Sequence, residues 1–188
     1  MATSIFDSMA AFFKKDDWPA TQIEGQTAMS MNFQGQNGRW GCLARVDQEK
    51  ELVLFYSYCP VKAPEDKRPI LADFLTRANY GLYIGNFEMD FNDGEVRYKT
   101  SIDVEGNVGV DAALAETPAE TPADGVAPAE GEKKESAAAS SEQIQLTFPL
   151  MKRLVYNNVG VMDKYMPGIM AVIYGGASPT EAIAKVES

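Results

Sequence analysis

Apolar side chains recur at helical spacing near the start of the chain. Between Ser4 and Lys15 they follow one another at intervals typical of one helix face, at positions Ile5, Phe6, Met9, Phe12 and Phe13. This spacing predicts an amphipathic helix over Ser4–Lys15. Pro19 ends the helical pattern, because it lacks a backbone N–H and disfavours a helical conformation at the residue before it.

Three segments with strand-like patterns follow, over Gln26–Phe33, Arg39–Val46 and Leu52–Cys59. In the first two segments apolar and polar side chains alternate, as in strands with one buried face. The third is apolar at odd and even positions alike, with Leu52, Leu54, Tyr56 and Tyr58 on one face and Val53 and Phe55 on the other. Such a strand is expected to lie centrally and to be covered on both sides. Another subunit is a candidate for the second cover.

A helix and a hairpin are predicted next. Ile70–Tyr80 has an apolar helical face and ends at Gly81, for which we expect a left-handed C-cap conformation. Asp93-Gly94 predicts a two-residue turn between the strands Leu82–Phe91 and Glu95–Asp103, because Gly accepts the positive φ of such turns.

Counting back from that turn fixes a register for the hairpin. It pairs Phe91 with Val96, Asp90 with Arg97, Met89 with Tyr98 and Glu88 with Lys99. One face then carries apolar side chains and the other carries charges. A slip of one residue would mix the two faces, so the pattern excludes it. The charged face is typical of a solvated sheet surface, and a docking face for a partner is the alternative.

Residues 111–141 break the pattern of regular elements. They consist mainly of Ala, Glu, Pro, Thr and Ser, and their only large apolar residues are Leu114 and Val126. Such a segment cannot bury enough surface to offset the entropy lost on ordering, so we expect it to be disordered. The segment after it is too short to build its own core. We therefore interpret 111–141 as an insertion within a single domain that spans residues 1–188.

Helical patterns return after the insertion. Thr147 is a candidate N-cap for a helix with an apolar stripe at Phe148, Met151, Val155, Val159, Met162 and Met166. Pro167-Gly168 is expected to break or kink this helix before Ile169–Tyr174, and a capping box over Ser178–Glu181 begins a last short helix. The predicted fold class is α+β, with a five-stranded antiparallel sheet in the order helix, three strands, helix, two strands, C-terminal helices.

Charge and hydropathy narrow the classes of partner. The chain has 188 residues and a formal net charge of -10, and an acidic protein without a local basic patch repels the phosphates of nucleic acids. No apolar run approaches the length of a membrane span, and the N-terminus lacks the pattern of a secretory signal. We expect a cytoplasmic protein that binds neither nucleic acid nor membrane.

The composition also excludes several kinds of catalytic site. The chain contains no histidine, which removes Ser–His–Asp and Cys–His nucleophiles and most zinc sites. Cys42 and Cys59 lie in predicted strands without the spacing of metal ligands, and we expect them to be buried. Glu88 and Asp90 share a face with basic side chains, which favours ion pairs over catalytic carboxylates. We expect no catalytic residues, no metal and no cofactor.

The order of elements and three short motifs resemble the YbjN-domain family, most closely its cyanobacterial members. The resemblance covers Gln22–Asp103 and, less firmly, Leu146–Glu187, where the spacing of Asp163, Tyr165 and Pro167 also fits. The motifs are Ala78-Asn79-Tyr80-Gly81, Gly85-Asn86-Phe87-Glu88 and Asp93-Gly94-Glu95-Val96-Arg97-Tyr98.

Members of that family are described as "putative bacterial sensory transduction regulators". The resemblance implies a fold like that of type III secretion chaperones, which are small acidic proteins, usually homodimers, that bind partner proteins without catalysis. It carries no catalytic residue over to this chain. The insertion at 111–141 is a departure from the family pattern, and it is either a regulatory segment or only a tether.

Three functional hypotheses remain open. The first is a non-enzymatic protein-binding module, chaperone-like or regulatory, with an expected partner or dimer surface at Leu52, Leu54, Tyr56, Tyr58, Met162, Met166, Ile169 and Ile173. The second is a small-ligand binder or enzyme built on carboxylates and on tyrosines such as Tyr56, Tyr58, Tyr80 and Tyr98. The third is a structural subunit of a larger assembly.

Overall fold

A computed structural model describes residues 4–104 and 148–188. The predicted insertion at 111–141 and the candidate N-cap Thr147 lie outside the described residues. In chain order the elements are α1 (Ile5–Lys15), β1 (Thr21–Gln22), β2 (Ala28–Gln34), β3 (Arg39–Asp47), β4 (Leu52–Tyr58), a short 3-10 turn (Glu65–Lys67), α2 (Arg68–Tyr80), β5 (Asn86–Met89), β6 (Val96–Asp103), α3 (Phe148–Ile173) and α4 (Pro179–Glu187).

The strands form one antiparallel sheet in the order β1-β2-β3-β4-β6-β5. The predicted α+β class with a single antiparallel sheet is confirmed. The sheet has six strands rather than five, because Thr21 and Gln22 pair with Ser30 and Met29 as a short edge strand. Strand β4 lies between β3 and β6, as its apolar pattern predicts.

The hairpin differs from its predicted register by two residues. Met89 lies opposite Val96 and Glu88 lies opposite Arg97, because the turn runs from Asp90 to Glu95 and is longer than the expected Asp93-Gly94 turn. Asp90 N donates to Glu95 O (2.9 Å) and Gly94 N donates to Asp90 O (2.8 Å). A shift of two preserves the two faces. Phe91, however, leaves the apolar face and is 56% exposed.

One prediction at a helix end is wrong, and the break that was one of two outcomes expected at Pro167-Gly168 does not occur. Gly81 has a φ of -92°, so α2 does not end in a left-handed cap. Helix α3 continues through Pro167, although an internal proline costs about 3 kcal/mol. Tight packing holds this turn: Met166 and Ile169 are buried, and a Cβ atom at Gly168 would lie 2.6 Å from the Phe74 ring of α2.

The helices cover one face of the sheet. Phe13 of α1 stacks on Phe55 of β4, with ring centroids 6.2 Å apart. Asn158 of α3 is fully buried, and its Nδ2 donates to Phe55 O (2.9 Å) and Tyr98 O (3.1 Å). Helices α2 and α4 pack against α3. Within residues 4–104 and 148–188 no helix covers the opposite face of β4. The strand is therefore covered on one side, and not on both sides as expected.

The outer edge of β5 is occupied by a side chain. Asn79, at the end of α2, accepts from Phe87 N through Oδ1 (2.7 Å) and donates to Phe87 O through Nδ2 (3.0 Å). Strand β5 is last in the sheet order, so these Phe87 groups are the ones that a further strand would use. The amide of Asn79 thus takes the place of a neighbouring strand.

Candidate protein-binding surface

The face of the sheet that the helices leave uncovered is called the open face here. Alternation along each strand and the observed register place its side chains. From β2 to β5 they are Ala28, Ser30, Asn32 and Gln34; Arg39, Gly41, Leu43, Arg45 and Asp47; Leu52, Leu54, Tyr56 and Tyr58; Arg97, Lys99, Ser101 and Asp103; and Asn86 and Glu88.

The structure divides the eight residues of the predicted partner surface into two groups. Leu52, Leu54, Tyr56 and Tyr58 lie side by side on the open face and are each partly buried, with some of the side chain exposed. The other four are wrongly placed on a surface by the sequence analysis. These four residues are Met162, Met166, Ile169 and Ile173. Each is at most 3% exposed, because α3 turns its side chain into the core between the sheet and helices α2 and α4.

The centre of the open face is apolar and aromatic. Leu43 of β3 lies opposite Tyr56 of β4, so Leu43 joins Leu52, Leu54, Tyr56 and Tyr58 in one continuous group, called the apolar strip. The rings of Tyr56 and Tyr58 lie 6.1 Å apart, and the Arg97 guanidinium lies 4.8 Å from the centroid of the Tyr56 ring. The stacked cation holds this part of the strip in place.

An ion-pair cluster borders the strip on the side of β5. Glu88 Oε2 accepts from Arg97 Nε at 2.7 Å, and Glu88 Oε1 pairs with Lys99 Nζ. Partial burial raises the pKa of Glu88, but its hydrogen bonds and charge pairs with Lys99 and Arg97 outweigh burial and lower that pKa overall. Burial raises the pKa of the Tyr58 hydroxyl. At neutral pH Glu88 is therefore ionised and Tyr58 is protonated.

The opposite border of the strip has unpaired positive charge. Arg39 and Arg45 point outward from β3 and are exposed. Neither makes an ion pair with any residue that the structure describes. On a chain with a net charge of -10, this border favours contact with carboxylates.

A hollow of about 430 Å³ lies at one end of the strip and is called the Gly41 hollow. Its walls include Pro19, Thr21, Asn32 and Tyr58, and it reaches down to Gly41 of β3. A Cβ atom built on Gly41 would meet nothing within 4 Å. The hollow is therefore real space at the surface of the sheet, and it falls within the size range of ligand pockets.

The four tyrosines of the ligand-binding hypothesis do not share a site. Tyr80 is 96% exposed at the end of α2, whereas Tyr98 is buried and donates its hydroxyl to Ile84 O. Burial raises the pKa of Tyr98 to about 12. Tyr56 and Tyr58 lie on the open face, so the described residues bring only these two together.

Two of the three residues in the C-terminal family pattern, Asp163 and Tyr165, connect α3 to other parts of the fold. Asp163 accepts from Asn37 N (2.8 Å) and Gln36 N (3.1 Å), and so it joins α3 to the β2–β3 turn. Tyr165 is buried and donates to Glu187 Oε1 of α4 at 2.8 Å. Pro167 is exposed on α3. None of the three borders the open face.

Sequence reasoning missed Gly41 and Leu43 as members of the surface. Both occupy the face of β3 that also carries Arg39 and Arg45. Alternation along the strand was the available signal, because every second residue from Arg39 to Arg45 points the same way.

Other candidate sites find no support among the described residues. Cys42 and Cys59 are free and buried as expected, and burial raises the pKa of both thiols to about 11. No group of three metal-ligating side chains occurs in residues 4–104 and 148–188. None of the helices seen there combines the length and apolar character needed to cross a membrane.

Comparison with known proteins gives one family match. The model of the YbjN family, described as "Putative bacterial sensory transduction regulator", matches residues 6–116, which is more than half of the chain. No curated protein and no solved structure matches the chain.

Proposed function

Because the chain belongs to the YbjN family, we propose that it is a non-enzymatic regulatory adaptor, which acts by binding other protein chains through its open face. The family description, "Putative bacterial sensory transduction regulator", supports a role in regulation. Chaperone-like binding of a partner is one form of the same proposal.

The observation that carries the proposal is the uncovered apolar strip. Leu52, Leu54, Tyr56 and Tyr58 project from the central strand of the sheet and stay partly exposed, whereas the side chains on the other face of the strand are buried. A contiguous apolar patch with a polar border is characteristic of protein-interaction sites. Tyrosine and arginine, which meet here at Tyr56 and Arg97, are enriched where binding energy concentrates.

The strip is also held in a fixed arrangement before any partner binds. It lies on regular strands, and the contacts among Tyr56, Arg97 and Glu88 restrict three of the side chains around it. Fewer side chains then lose freedom on association, which favours affinity.

We extend the proposal to the oligomeric state and expect a homodimer, in keeping with the family resemblance. Sedimentation equilibrium of the full chain at micromolar concentration measures this directly. A purely monomeric protein would contradict the homodimer and leave the adaptor proposal to be judged on its partners.

The adaptor proposal is tested by a charge placed in the strip. Leu54→Glu puts a carboxylate into the middle of the open face, and Thr76→Glu puts the same group on an exposed position of α2 as a matched control. Tagged wild type and both variants are used as baits in lysate at physiological salt. We expect stoichiometric partners on the wild type and on Thr76→Glu, and their loss from Leu54→Glu.

Urea denaturation of the three baits separates lost binding from lost folding. The same partners on Leu54→Glu as on wild type would contradict the open face as the binding surface. A wild-type bait without any partner would contradict the adaptor role and favour the ligand-binding hypothesis.

A further inference from the structure

Gly41 has no structural reason to be glycine. It lies inside β3, opposite Asn32, and its φ is outside the left-handed region that favours glycine. A Cβ atom there would have no neighbour within 4 Å. Glycine inside a strand weakens the strand and often marks a place where another molecule approaches closely. Gly160 has the same free space on a helix, but Gly41 also lies in a hollow of the sheet surface, so the space above it can receive another side chain.

The chain itself carries a side chain of the right chemistry. Phe91 is 56% exposed at the tip of the β5–β6 hairpin, and Asp90 and Asp93 stand on either side of it in the sequence. Asp93 is paired with Lys62, whereas Asp90 makes no ion pair with any described residue. The exposed ring beside the Asp90 carboxylate complements the Gly41 hollow beside Arg39, which lies two residues from Gly41 on the same face of β3. The complementarity is both apolar and electrostatic.

The positions of Phe91 and the Gly41 hollow fit a two-fold axis. Tyr58, in the wall of the hollow, lies opposite Arg97, which lies opposite Glu88. Phe91 lines a second hollow together with Glu88 and Arg97. The Gly41 hollow and Phe91 are thus at the same end of the sheet, on opposite sides of the β4–β6 pair, and both border the open face.

We infer that a second copy of this chain covers the open face, with Phe91 of each copy seated in the Gly41 hollow of the other. A two-fold axis parallel to the strands, between the two open faces, brings both contacts together at once. The contact is isologous and closes on itself, as a stable dimer requires. This inference rests on the proposed function, since it names the chain that occupies the same surface.

A consequence is competition between the second copy and any other partner of the open face. Removing only the Phe91 contact weakens the dimer and leaves the apolar strip intact. Dimerisation and partner binding are therefore separable by mutation.

The test uses the full chain and sedimentation equilibrium. Gly41→Val fills the hollow and Phe91→Ala removes the ring that enters it. We expect each to raise the dimer dissociation constant by about thirtyfold or more, as for the loss of a binding hot spot. Gly160→Val on an exposed turn of α3 and Tyr83→Ala at a fully exposed tyrosine are the matched controls, and both should dimerise like the wild type.

Mixing the two variants gives a sharper readout. Gly41→Val keeps the ring and Phe91→Ala keeps the hollow, so a heterodimer has one intact contact where each homodimer has none. We expect the equimolar mixture to associate more strongly than either variant alone. A monomeric wild type, variants that dimerise like the wild type, or a mixture no stronger than its components would each overturn the inference.

Partner capture distinguishes failure of this inference from failure of the adaptor proposal. Gly41→Val and Phe91→Ala should retain the partners that Leu54→Glu loses. Unchanged dimerisation of these two variants, with partners still lost from Leu54→Glu, would overturn the dimer contact alone.

Discussion

The two faces of β4 are almost equally apolar but have different surroundings. Val53 and Phe55 on the inner face are fully buried beneath the helices. Leu52, Leu54, Tyr56 and Tyr58 on the open face stay partly exposed. Apolar character alone therefore does not identify the core of this molecule. The inner face stabilises the fold, and the open face carries apolar side chains that the described fold does not use.

The largest expected effect on stability comes from comparing two neighbouring residues of β4, one on each face of the strand. Phe55→Ala removes a fully buried ring from beneath α1 and should lower the free energy of unfolding by about 3–5 kcal/mol. Leu54→Ala, one residue away on the open face, should cost less, about 1–2 kcal/mol, because its side chain is only partly buried and no described helix packs on it. Urea denaturation of both variants measures the difference. Both variants are measured at protein concentrations at which the chain is monomeric, and equal losses would then mean that the open face is buried within the monomer itself.

A smaller effect is expected from the polar contact within the inner face. Asn158→Ala removes an Nδ2 donor that is shared by Phe55 O, Tyr98 O and Thr100 Oγ1. The free energy of unfolding should fall by about 1–3 kcal/mol, because these acceptors lose a buried partner. Asn157→Ala, at the adjacent residue of α3, is the control. A loss for Asn157→Ala as large as that for Asn158→Ala would show that the effect comes from the helix and not from its contact with the sheet.

The smallest effect concerns the ion pairs of the open face and depends on pH. The pKa of Glu88 is lowered in the folded protein, so its carboxylate stabilises the fold above the ordinary carboxyl pKa of about 4.3. This contribution disappears as the pH falls through the lowered folded pKa. Glu88→Gln should therefore destabilise the protein at neutral pH, by about 1 kcal/mol or less.

Urea denaturation of Glu88→Gln and wild type across a series of pH values tests this expectation. The difference between them should vanish in acid, where the wild-type carboxyl group is also neutral. Glu24→Gln, at an exposed residue of the β1–β2 turn, should show no such trend. A difference that persisted at low pH would contradict the role of the Glu88 charge.

Patterns with a period of two predicted much of the sheet. They identified the inward and outward faces of β3, β4 and β6 and the central place of β4. The hairpin register failed by two residues because a shift of two leaves every side chain on its face, so the pattern cannot detect it. The turn was decided instead by contacts distant in sequence. Ala63 N donates to Gly94 O, and Gly94 has a φ of 78° at a position where a Cβ atom would clash with Ala63 O.

Only half of the predicted partner surface lies on the open face, because an apolar pattern does not show which side chains another element covers. Leu54 and Met166 are both apolar residues in regular elements, and sequence alone does not say which one another element covers. Packing of α2 and α4 on α3 buries Met166, and no described helix reaches Leu54. Pro167 also shows how packing overrides local preference, since the surrounding buried contacts hold a helix that the sequence predicted to break or kink.

Asn79 affects whether further protein chains can add to the edge of the sheet. The amide of Asn79 occupies both main-chain groups of Phe87 at the β5 edge, and the other edge, β1, is only two residues long. Exposed strand edges template fibril growth by adding one chain after another. A strand added beside β5 would have to displace the Asn79 amide, so addition at that edge is disfavoured while the face of the sheet stays accessible to bound protein.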